Sequence, residues 1–153
     1  METISETADA AAQTCEIRMK GPGIPDPRAL ADHIERKMRV GATLRGIEIK
    51  AVGRLTERDD GLYLEISGTK ETIRLAALRR KVQWDIPAGR EQEATPAEKN
   101  AFERLRGSRK NELVLVTGPL VRPVGEEPMV LEVRSFGPAP TRRTAPPRSP
   151  SGP

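Results

Sequence analysis

Aromatic rings are scarce in this sequence: Phe, Tyr and Trp together supply 3% of its 153 residues. A core built without them must come from Leu, Ile, Val, Ala and Met. A surface for stacking bases has only Tyr63, Trp84, Phe102 and Phe136 to draw on, scattered over different elements, and of these Tyr63 is the one expected at a water-facing strand position. Cysteine is scarcer still. Cys15 has no second cysteine to pair with, and with one histidine in the chain a structural zinc set is excluded. Cys15 reads instead as a small apolar strand residue. No apolar run approaches membrane-spanning length, and METISETADAAAQTC lacks a basic-then-apolar leader, so a cytoplasmic chain without membrane contact is expected.

Catalytic groupings are equally thin. Nucleophilic catalysis needs a nucleophile beside a positioned base, and His33 has no Ser or Cys at a spacing that points to it. The carboxylate pairs Asp59-Asp60 and Glu126-Glu127 fall in a turn and a loop, where acids are ordinary solvated surface. Gly53 and Gly118 are isolated strand glycines, with no Gly-rich loop leading to Lys-Ser or Lys-Thr. Neither an enzyme nor a cofactor or metal site is expected.

What the chain does contain begins with a hairpin, Leu44 to Leu75. Ile47, Ile49, Ala51 and Leu55 alternate with Glu48, Lys50 and Arg54, Asp59-Asp60-Gly61 supplies the turn, and Leu62, Leu64 and Ile66 alternate with Tyr63, Glu65 and Ser67 on the return. Thr69 to Leu75 prolongs or bends that returning strand, with Gly68 as a bulge site. Upstream, Cys15, Ile17 and Met19 form a first strand. A helix then starts at Asp26-Pro27 and stops at Gly41, with Leu30, Ile34 and Met38 as its apolar stripe and His33 beside it. Thr95-Pro96-Ala97-Glu98 is a capping box that opens a second helix ending at Gly107. Leu113 to Leu120 and Met129 to Phe136 read as two more strands. They echo the first hairpin: Gly53-Arg54-Leu55 matches Gly118-Pro119-Leu120, and Leu62 to Ile66 matches Met129 to Val133.

The expected fold is α+β, a largely antiparallel sheet of about five strands with two helices in the order strand, helix, strand, strand, helix, strand, strand. Residues 1–14 and the basic, proline-rich 137–153 are expected to be disordered ends flanking one domain over 15–136. Cys15 to Leu75 resembles, in layout, the first strand, helix and hairpin of a ferredoxin-like domain of the heavy-metal-associated kind. Those domains carry Gly-Met-x-Cys-x-x-Cys between strand and helix, where this chain has Gly23-Ile24-Pro25-Asp26-Pro27-Arg28. Both thiolates that select soft ions are missing, so the resemblance implies the fold and not the metal. A five-stranded sheet with repeated hairpins also reads as an OB-like barrel.

The net charge of +4 is concentrated. Residues 79–110 hold nine bases and five acids, a difference equal to the whole excess. Residues 79–94, RRKVQWDIPAGREQEA, have no regular period and contain the one tryptophan, which most simply plugs this connection onto the body. The expected function is a non-catalytic protein-interaction or accessory subunit, docking through its sheet, the Trp84 connection and the tail. Arg79, Arg80, Lys81, Trp84, Arg104, Arg106, Arg109 and Lys110 are the candidate contacts to an acidic protein or a larger assembly. The alternative is a nucleic-acid-binding protein that uses the same basic region.

Overall fold

In the computed structural model of the chain, residues 3–9, 14–19, 23, 24, 26–37, 44–108, 110–121 and 129–140 are described. Ten strands and three helices occur among them: β1 (Thr3–Asp9), β2 (Thr14–Met19), α1 (Pro27–Lys37), β3 (Glu48–Arg58), β4 (Gly61–Ile66), β5 (Thr72–Ala77), β6 (Trp84–Asp85), β7 (Arg90–Glu91), α2 (Pro96–Lys99), α3 (Ala101–Arg106), β8 (Leu113–Val121), β9 (Val130–Val133) and β10 (Ser135–Pro138).

Local signals act where they stand. Asp26 Oδ1 accepts the Arg28 amide at 2.9 Å, which caps α1, and Leu30 is buried. Asp59 and Asp60 turn β3 into β4, with Gly61 at φ 148° taking the backbone form that a side chain resists. Leu55 then faces Leu64, and Leu64 faces Ile73 of β5, so one side of this antiparallel meander is apolar. Gly68 at φ 78° belongs to the turn between β4 and β5, where a bulge was expected, and Thr72–Ala77 is a strand of its own.

The sheet runs β10-β8-β3-β4-β5-β9, and β9 also pairs with β8. Five strands therefore form a closed ring, β3-β4-β5-β9-β8 and back to β3. One joint is parallel: Leu75 of β5 faces Leu131 of β9, which the purely local patterns of the two strands could not reveal. The sheet is thus mixed and six-stranded: largely antiparallel as expected, with one more strand and one parallel joint that were not. Closure pairs each ring strand on both sides, leaving β10 as the edge of the sheet, and encloses Leu55, Leu64, Ile73, Val116, Leu131 and Val133, with Leu105 of α3 fully buried among them. Each such side chain contributes roughly 1.5–3 kcal/mol on burial.

Gly53 and Gly118 explain the echo between the two halves. A β-carbon at Gly53 would overlap the Glu65 carbonyl oxygen, and one at Gly118 that of Glu132, so both mark places where another strand crosses too close for a side chain.

Elsewhere the expectations shift. Thr3–Asp9, expected without regular structure, pairs antiparallel with Thr14–Met19 in a separate ribbon, and pairing at the other end continues through Pro138. Met129 to Phe136, expected as one strand, divides at Arg134 into β9 and β10. The second helix is two short ones meeting at Asn100. Met38, Gly41 and residues 141–153 lie outside the described residues.

Candidate docking surface

The irregular stretch between β5 and α2 is the longest connection among the described residues, and the structure shows how it is held. Two residues past β5, Arg79 donates its amide to Glu132 Oε1 at 2.8 Å, so a β9 carboxylate that is itself buried fixes the exit from that strand. Lys81 turns inward: its Nζ lies 3.0 Å from Glu98 Oε1, with the two side chains 9% and 15% exposed. Val82 packs where Gly46 leaves room for it just before β3. Trp84, half-buried, lies under Arg45, whose Cζ is 3.6 Å from the ring centroid. Trp84 and Asp85 then pair with Glu91 and Arg90 as a two-residue ribbon turned at Gly89, φ 65°.

Glu98 does two jobs at once. Its Oε2 accepts the Thr95 amide at 2.9 Å while Thr95 Oγ1 accepts the Glu98 amide, completing the capping box read from sequence. Its Oε1 meets Lys81 and, at 3.5 Å, Arg134 Nη1. Arg134 in turn holds Glu48 with two bonds, Nε to Oε2 at 2.7 Å and Nη2 to Oε1 at 2.6 Å. Four charges thus join β3, the connection, α2 and the β9–β10 junction. Burial pushes the Glu98 carboxyl up, but the Thr95 amide, Lys81 and Arg134 outweigh it and hold it below its ordinary range. The Glu48 carboxylate holds the Arg134 guanidinium above its usual value, against burial.

The seven described candidate contacts are divided among different partners. Lys81 is a structural partner of Glu98, not a free contact. Arg80 Nε binds Glu91 at 2.8 and 2.6 Å, and Arg106 Nε approaches Glu57 at 3.8 Å. Arg104 lies over the Phe136 ring at 5.5 Å, and Lys110 donates to the carbonyls of Arg106 and Ser108 at the end of α3. Arg79 and Arg80 border an open cavity of about 290 Å³ that Lys99 also lines. Arg109 lies outside the described residues.

Tyr63, expected to face water, is 6% exposed. Its ring is covered by Arg58, 4.4 Å from the centroid, and its hydroxyl donates to Asp60 Oδ2 at 2.7 Å. That bond lowers the Asp60 carboxyl and raises the Tyr63 hydroxyl. Arg74 closes the group by donating to the Asp60 carbonyl at 2.9 Å. Across the same outer face, Arg54 stands opposite Glu65, so charges of both signs alternate there.

Glu48, Glu132 and Arg134 were not singled out from sequence. Their one local signal was a charge in the middle of, or directly before, an apolar strand. No family model, curated protein or solved structure matches this chain.

Proposed function

We propose that the chain is a non-catalytic docking module, an accessory subunit that binds a protein partner from a barrel of the OB class. The OB reading rests on connectivity: five ring strands, the third and fifth of them parallel, with α2 and α3 inserted between the third and fourth. A barrel of this class serves many ligands, so the partner must be argued from surface chemistry.

The observation that carries the protein reading is the mixture of charge. Lys50, Arg54, Arg58 and Arg74 on the outer meander stand with Glu65, Asp59 and Asp60, while Arg80, Lys81 and Arg106 each have a carboxylate partner. Nucleic-acid interfaces are far more one-sidedly positive. With Tyr63 covered, the outer face also offers no free ring for a base. Leu113, 44% exposed, adds an apolar contact opposite Arg54. Backbone pairing at the β10 edge is discouraged, because alternation from the Ala139 amide bond to Leu113 puts Pro138 where an outward amide would be needed.

A salt series with single-stranded and duplex DNA and RNA tests this. Weak binding with a shallow slope is expected, alongside capture of a discrete protein partner by the full chain. Tight oligonucleotide binding that falls steeply with salt would overturn the protein reading in favour of nucleic acid.

A further inference from the structure

We propose that the open groove between the connection and α2 is the docking site, and that it takes an extended acidic segment of the partner protein. This inference rests on the protein-docking reading and adds to it the location and the chemistry.

The argument starts from an asymmetry in two ion pairs. In Arg79–Glu132 the arginine side chain is 77% exposed and the carboxylate 3%, and in Arg80–Glu91 the values are 65% and 26%. Each pair is neutral in sum, yet its anionic end is turned toward the protein and its cationic end toward water. Lys99, which lines the same groove, is exposed and has no carboxylate partner among the described residues. The surface a partner meets is therefore three exposed cationic heads and the exposed Glu93 carboxylate around a cavity of about 290 Å³, with Leu78 contributing apolar lining.

The heads also have unused donors. Arg80 spends Nε on Glu91, and the contact of Arg79 with Glu132 likewise runs through Nε, which leaves the terminal nitrogens of both guanidiniums to receive carboxylates. Held from beneath, these side chains have less rotamer freedom to lose on binding than free arginines. Glu91 and Glu93 line the groove as well, and their negative charge opposes a continuous run of phosphates. An extended peptide places side chains of one face about 6.6 Å apart, so acidic residues for the cations can alternate with neutral ones for the glutamates.

The test uses the full chain and a fluorescent eight-residue glutamate peptide, with a lysine peptide and a thymidine octanucleotide as comparators, read by anisotropy. The glutamate peptide is expected to bind and the lysine peptide not to. Arg80→Gln with Lys99→Gln should weaken it about tenfold or more with little change in melting temperature, because the Arg80–Glu91 pair lies at the surface, while Lys50→Gln on the outer sheet stays within about twofold. No binding of the glutamate peptide by the unmodified chain, or equal binding by the groove variant, overturns the inference. If the groove variant still captures the discrete partner, the site is elsewhere and the docking reading survives. If the octanucleotide binds more tightly than the peptide and the groove variant abolishes it, both fall together.

Discussion

Arg134 and Glu48, 86 residues apart, share two parallel hydrogen bonds of 2.6 and 2.7 Å. The pair ties the start of the first ring strand to the residue at which the last one bends away. Replacing Arg134 by Ala leaves Glu48 half-buried without its partner and releases Glu98 from one of its two cations. A loss of about 2 kcal/mol is expected, a fall in melting temperature of roughly 4–8 °C. Thermal unfolding followed by circular dichroism measures it, and a change under about 1 °C would show that the pair carries no stability.

Glu98 makes stability depend on pH. Its carboxyl is lowered in the folded chain, so between that value and the ordinary carboxylate value the unfolded chain binds more protons. Its contribution is fully present above the ordinary range and is lost as pH falls through the folded value. Urea midpoints measured from pH 7 downward should decline through the carboxylate range, and Glu98→Gln should be less stable at pH 7 with a flatter decline.

Gly53→Ala and Gly118→Ala should each destabilise the barrel by about 1–3 kcal/mol or more, since the added methyl meets a backbone carbonyl that cannot step aside. Gly137→Ala meets nothing within 4 Å and should stay within about 0.5 kcal/mol. Equal effects at all three positions, measured by urea denaturation, would remove the close-approach explanation.

Tyr63 is the single tyrosine, so its ionisation can be followed by phenolate absorbance without interference. The transition should fall above the ordinary tyrosine value while the fold persists, and Asp60→Ala should bring it down, because the bond to the Asp60 carboxylate favours the neutral phenol.

Trp84 is likewise single. Arg45→Ala should increase quenching of its fluorescence by acrylamide and cost less than about 1 kcal/mol, as the guanidinium covers the ring from the solvent side. Unchanged quenching would mean that the ring is shielded by other groups.

What could be read from the amino acids alone was what neighbours in sequence decide. The Asp59-Asp60-Gly61 turn, the Asp26 cap and the Thr95–Glu98 box each depend on residues within four positions of one another, and each is present. The parallel joint of β5 with β9 depends on strands more than fifty residues apart, and alternation in either strand is blind to it. Tyr63 was misplaced for a related reason. Its position alternates outward as expected, but Arg58 and Asp60 fold over the ring, and a period-two pattern reports direction without reporting cover. The basic stretch was legible as composition, whereas the carboxylates that divide it come from β3, β7, β9 and α2. Gly53 and Gly118 carried a usable signal: a glycine inside a strand marks close approach of another backbone.

Because β9 completes the ring by pairing on both its sides, a nascent chain on the ribosome cannot seal the barrel until residue 133 has been delivered. Until then β5 and β8 each lack a neighbour, and their unpaired backbone groups are open to strands of other chains. A message cut short upstream of Val130 would yield polypeptide with two sticky borders, fit for degradation more than for partial service.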